Sequence, residues 1–232
     1  MITSNKHGPL KWARGRSRCR IPGSAGAVFL LGLLTVPALT GCFTTFSELQ
    51  DARLIGPGKI EITPHCSMVS GVSKSGNHPY SNQYGLQFAL GAGASTDMRF
   101  RIERIDFKGM GSHGLTVFGF GPKFSLKKNR LAALLPIGFA FGKNIKILCT
   151  TQVHPGVVST IPLGDRVDLN LSAKAIIPVT HPDNMMLAVN LGPGIRVMKP
   201  GLVLRPETGL LWRPGAASAL LHLSLGVSFG TN

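Results

Sequence analysis

His222-Leu223-Ser224 sets an imidazole and a hydroxyl two residues apart. On an extended strand, residues i and i+2 share a face, so the pair is in reach for a base and a hydroxyl nucleophile. Such a base needs a third group to orient it, and Glu207 on the preceding strand is the plausible carboxylate. Both His222 and Ser224 fall on the polar side of their strand, which reads as inward, whereas a site that cleaves lipid has to meet the bilayer. The commoner role for such a pair is hydrogen bonding in a polar interior. His78, His113, His154 and His181 are dispersed, without HxxxH spacing, and there is no CxxC pair, so neither a metal nor a bound cofactor is expected. Gly119-Phe120-Gly121 and Gly192-Pro193-Gly194 lie inside strand patterns with no helix after them. They read as close packing rather than phosphate loops.

The elements that must hold these residues are strands. Period-two alternation runs through 59–69, 83–93, 98–107, 130–142, 166–178, 185–197 and 219–229. In the last of these, Leu221, Leu223, Leu225, Val227 and Phe229 oppose His222, Ser224, Gly226 and Ser228. The phase slips near Arg104, where a β-bulge is expected. Turns alternate too. Short ones at 95–97, 127–129, 163–165 and 199–201 contrast with longer segments at 70–82, 108–113, 143–146, 179–184 and 213–218. This is the asymmetry of transmembrane barrels, whose periplasmic turns are short and outer loops long. The expectation is an all-β, antiparallel, up-and-down transmembrane β-barrel of roughly ten strands, with eight to twelve possible, its two ends on the periplasmic side. Trp212 and Tyr84 are placed near strand ends, although aromatic girdles are thin at 7% aromatic residues.

Composition agrees. Only 15% of residues are charged, 44% are hydrophobic, and Gly is 29 of 232. Disordered tails are richer in charge, and ordinary cytosolic enzymes carry about 25% charged residues. A soluble periplasmic ligand-binding barrel has the same alternation, but its outer face would be dense in Lys and Glu. Here the polar face is mostly Gly, Ala, Ser, Asn and Thr, which suits a narrow lumen. Glu61, His65, Arg99, Arg101, Glu103, Asp168, Lys174, Arg196, Arg205, Glu207 and His222 should point into it. Buried charges have to be paired, and ten strands leave no room for a wide pore.

The first residues read as an address. Lys6, Lys11, Arg14, Arg16, Arg18 and Arg20 precede the uncharged run Ala25–Leu39, which is too short for a membrane span and carries Pro37. It ends Leu39-Thr40-Gly41-Cys42, which resembles a lipobox, the cleavage and acylation signal of bacterial lipoproteins. That resemblance implies cleavage before Cys42 and covalent lipid on its thiol. Phe43 in the next position resembles the pattern of outer-membrane retention. The expected organisation is a signal at 1–41, a lipidated polar tether at 42–58 and a barrel domain at 59–230. Cleavage removes six of the 25 basic residues and no acid, leaving 19 against 10, or +9. The remaining cations are spread along the chain, so nucleic acid is not an expected partner and outer-membrane lipid is. Cys66 and Cys149 are expected on non-neighbouring strands as free, lipid-facing thiols.

Gln50-Asp51-Ala52-Arg53, followed by Gly56-Pro57-Gly58-Lys59-Ile60-Glu61, resembles the opening of small outer-membrane β-barrel lipoproteins of Gram-negative bacteria. Gly93–Arg101 and Leu163–Leu169 are similar to their turn-to-strand repeats. The resemblance implies a fold and a location in the bacterial outer membrane, with the N-terminus lipid-anchored on the periplasmic side, and no settled activity. The His222–Ser224 spacing is also similar to that of outer-membrane lipid A deacylases. Two functions follow as expectations: a non-enzymatic structural or surface-interacting barrel, or a lipid-modifying enzyme. Cys42→Ala should abolish incorporation of radiolabelled palmitate and leave the precursor uncleaved on a gel.

Overall fold

The computed structural model describes residues 47–73, 76–108, 114–142, 145–198 and 201–230. The signal run, Cys42 and His113 lie outside them. Ten strands are present among the described residues: β1 (Ile60–Ser73), β2 (Gly76–Gly91), β3 (Thr96–Phe107), β4 (Leu115–Lys127), β5 (Leu131–Leu134 and Ile137–Phe141), β6 (Gln152–Val153 and Gly156–Pro162), β7 (Val167–Pro178), β8 (Met186–Met198), β9 (Leu202–Trp212) and β10 (Ala219–Gly230). Each pairs antiparallel with the next. β10 returns to β1 from Glu61↔Gly230 to Val72↔Ala219, which closes the wall. This is the expected up-and-down barrel.

β5 and β6 are each interrupted once, at Leu135-Pro136 and His154-Pro155. Proline brings no N–H to a ladder, so regular pairing lapses there. Leu135 N–H donating to Pro122 O at 3.1 Å and His154 N–H to Pro136 O at 2.8 Å hold the strands together. Gly121 lies against this break. A Cβ on it would be 2.3 Å from Pro136 Cα, so only glycine fits.

Three local expectations are corrected. β3 pairs without a shift through Arg104, opposite Tyr84 on one side and Thr116 on the other, so there is no bulge. What changes at Arg104 is chemistry. Ile105 and Phe107 continue the inward face with apolar side chains, while Arg104 and Asp106 point outward and pair at 3.0 Å. Residues 70–82 are not a long loop either: β1 and β2 run on to Ser73↔Gly76, with a register shift at Val69/Ser70. Tyr84 therefore sits in mid-strand rather than near an end. The third concerns the thiols. Neither forms a disulfide, and Cys66 faces outward from β1, but Cys149 lies in a short helix, Ile147–Thr150, between β5 and β6.

The outward faces are apolar. Ile62, Met68, Leu86, Ile102, Phe120, Leu171, Leu191 and Leu225 are each 38–63% exposed. Among the described strand residues, Arg104 and Asp106 near the end of β3 and Lys127 at the end of β4 are the exposed charged side chains. A continuous apolar band on a closed wall belongs in hydrocarbon, where a closed barrel satisfies its backbone without water.

The inward faces divide by height. The half nearest the short turns is polar and ionic. In the other half, Val69, Ile176, Ala188, Leu211 and Leu220 pack with Tyr80 and Met186, and Ile105, Val117 and Ala140 pack with Phe107 and Leu115. Val69, Ile176, Ala188, Leu211, Ile105, Val117 and Ala140 are each at most 2% exposed. A charge on the outer face tests the placement in hydrocarbon. Leu191→Arg should lower folding stability in lipid vesicles by about 2–4 kcal/mol by denaturant titration, whereas a water-facing site would change little.

Candidate functional site

The polar half of the lumen is occupied by the chain's own residues 47–55, the segment expected as a tether. They enter through Gly56-Pro57-Gly58, whose glycines have φ of 93° and 71°. Gly58 N–H donates to Gly91 O at 3.0 Å, and a Cβ on Gly91 would lie 1.7 Å from Gly56 O. The inward glycine is what lets the turn rest on β2.

From that turn the segment climbs the lumen without joining the sheet. Its backbone groups are met by side chains instead. Ile55 N–H donates to Asp97 Oδ2 at 3.1 Å and Ala52 N–H to Thr160 Oγ1 at 2.7 Å. Lys123 Nζ donates to Asp51 O and Arg53 O, and Arg101 donates to Ser47 O. Both oxygens of Glu207 accept backbone N–H groups, from Glu48 and Leu49, each at 2.8 Å. Leu49 has φ of 52°, left-handed for a β-carbon residue, beside two successive N–H groups that converge on one anion, as in backbone nests.

Side chains of the segment are paired as well. Glu48 accepts from Lys174 Nζ at 2.6 Å and from Gln50 Nε2 at 2.7 Å. Arg53 grips both oxygens of Asp168, which Arg196 also contacts. Arg205 lies between Asp51 at 3.4 Å and Glu61 at 3.3 Å, and Arg99 reaches Glu61 at 3.1 Å. Ala52 is fully buried with Ala132, Leu134 and Val158. Within the described lumen, the wall offers cations Arg99, Arg101, Lys123, Lys174, Arg196 and Arg205. They face carboxylates Asp97, Glu61, Glu103, Asp168 and Glu207. Glu48 and Asp51 of the segment, against its Arg53, bring that sum to zero. An unpaired ion here would lose its hydration with nothing in return.

All eleven residues expected to point inward do so. The structure also brings His222 and Ser224 together: Nδ1 lies 2.6 Å from Ser224 Oγ, which is 2.7 Å from Ser67 Oγ. His222 Nε2 meets Asn190 Oδ1 at 3.1 Å, closer than Glu207 Oε1 at 3.8 Å. The carboxylate that would orient the base thus holds the inserted segment, and an amide oxygen takes the ring nitrogen. His222 is 1% exposed, between the apolar half and the segment. His154 is likewise buried and bonded to Gln152 at 3.1 Å, while His65 meets Glu103 at 3.2 Å. Among the described residues, no cluster of three metal-ligating side chains exists.

Sequence reasoning missed Lys123, Thr160 and Asp97, and placed Asn190 on the inward face, where it is. Lys123 carried a signal, since it shares the inward parity of Gly119 and Gly121. The inward glycines were legible as small residues, but not as room for an inserted chain. Gly226, too, faces Leu49.

A closed wall, apolar outside and ionic within, defines a transmembrane β-barrel of outer-membrane type. Solved structures with a similar fold include the outer membrane protease OmpT from Escherichia coli (TM-score 0.45, 9% identity, covering 83% of this chain and 100% of that chain). Others are the translocator domain of autotransporter NalP from Neisseria meningitidis (0.42, 10%, 75% and 88%) and Ail, the attachment invasion locus protein of Yersinia pestis (0.36, 9%, 75% and 99%). No family model matches the chain, and no curated protein matches it.

Glu207→Ala removes the acceptor of two backbone N–H groups. Trypsin should then cut after Arg53 at least tenfold faster than in the wild type, read by mass spectrometry of the folded protein, because charged hydrogen bonds contribute about 1.5–3 kcal/mol each.

Proposed function

We propose that this chain is a non-enzymatic outer-membrane barrel lipoprotein, anchored by acyl chains on Cys42 in the periplasmic leaflet. Its role is structural or surface-interacting, through the loops at the end away from the anchor. The observation that carries this reading is the filled lumen. Residues 47–55 occupy the polar half and apolar side chains pack in the other half, and between them His222 and Ser224 are 1% and 8% exposed.

The anchor is compatible with the depth of the segment. Ser47 bonds Arg101, four residues along β3 from Asp97 at the short-turn end. At ~3.3 Å per residue and a tilt of about 40°, that is about 10 Å of depth. The five residue steps from Cys42 to Ser47 can span about 17 Å. At the opposite end, Ile147, Leu148 and Val179 are 50–72% exposed in the connecting segments, an apolar surface available to membrane or partner.

The second reading, a lipid-modifying enzyme, is favoured by one observation: the 2.6 Å approach of His222 to Ser224. The two readings part on one experiment. His222→Ala should leave the lipid A profile of the outer membrane unchanged by mass spectrometry, and the purified wild type should give no steady conductance in a planar bilayer. A lost or altered lipid A species on substitution would support the enzyme.

A further inference from the structure

The segment 47–55 is held as a ligand is held. Five wall side chains, Asp97, Arg101, Lys123, Thr160 and Glu207, meet seven of its backbone groups, and it contributes no strand to the sheet. Barrel closure does not use it, because β10 and β1 zip directly to one another. Its link to β1 is a glycine-proline-glycine turn with both glycines left-handed.

The contacts also read sequence. Lys174 selects a carboxylate at position 48, Arg205 a carboxylate at 51, and Asp168 with its bidentate grip a guanidinium at 53. Leu49, 2% exposed, lies in the space left by Gly226 beside Thr63, and Ala52 has no room to grow. Backbone recognition gives affinity and side-chain niches give specificity, as where extended peptides are bound elsewhere.

We propose that the polar half of the lumen is a peptide-binding site. Its ligand is an extended segment in the order carboxylate, Leu, Gln, carboxylate, Ala, Arg, and residues 47–55 are its occupant in cis, replaceable by the same segment supplied in trans. Access is from the short-turn end, since apolar side chains fill the other half. The proposal assumes the lumen filled as above, and its test does not depend on whether the protein modifies lipid.

A site-specific protease sequence inserted in the Gly56–Gly58 turn of the full chain allows the segment to be cut free after folding in detergent. A fluorescent peptide of residues 47–55 is then added and followed by anisotropy. The cut protein should keep its heat-modifiable band and take up the peptide saturably. Unlabelled peptide should compete, while a peptide with Glu48→Gln and Arg53→Gln should compete at least tenfold more weakly, and one with Ala52→Leu should not compete. A second, uncut protein carrying Glu48→Gln and Arg53→Gln in its own segment should also admit the wild-type peptide. No uptake by either protein, equal competition by a scrambled peptide, or loss of the folded band on cutting would each overturn the proposal. In the last case the segment is part of the wall's fold and not a ligand of it.

Discussion

Ionised side chains sealed inside a barrel that sits in hydrocarbon must neutralise one another, and the rest of this structure follows from that constraint. An ion withdrawn from water loses several kcal/mol of hydration even after relaxation, and recovers it only through well-placed partners. The wall alone leaves Lys123, Lys174, Arg101 and Glu207 facing an empty centre. Residues 47–55 fill it with carboxylates, a guanidinium and backbone dipoles placed against those groups. The inward glycines and the tight turn at Gly56–Gly58 are the space this insertion needs.

The division of the lumen by height gives the two halves different physics. Near the short turns, stability comes from directional bonds whose partners lie on different strands, so the segment crosslinks the wall. In the far half, Val69, Ile176, Leu211, Ile105 and Val117 pack as the core of a water-soluble protein packs. That layer is apolar, its packing is non-directional, and none of its members belongs to the segment. A barrel organised this way holds an inserted segment of its own chain at one end and an apolar cluster of side chains towards the other.

The His222–Ser224 pair shows how context fixes the meaning of a motif. The distance suits a base and a nucleophile, yet the carboxylate meant to orient the base binds Glu48 and Leu49 N–H groups instead. Asn190 takes the ring nitrogen, and Ser224 and Ser67 complete a chain of hydrogen bonds from β8 through β10 to β1. In a closed interior, such a chain satisfies polar groups that would otherwise be buried without partners.

Much was legible in the sequence, because strand alternation has a period of two and each side chain's face follows from parity alone. Parity placed Glu61, Arg101, Asp168, Lys174 and His222 inward and Leu191 and Leu225 outward. The alternation of turns gave the up-and-down order, and an even strand count puts both ends on one side. Parity failed to read the far half of the lumen, where Ile105 and Phe107 face inward. An apolar residue carries no mark of whether it meets lipid or another side chain, and the change at Arg104 imitated a bulge. Strand ends at 70–82 were missed for a related reason, since polar residues there continue the ladder without an apolar face to reveal it. The inserted segment was beyond reach. Ser47–Ile55 has no periodicity, and its place depends on partners 42 to 159 positions away in the chain. Only closure of the barrel brings Asp97, Lys123, Thr160, Asp168 and Glu207 around one axis. The sequence by itself determined which face each strand residue takes, and tertiary structure alone decided what fills the space those faces enclose.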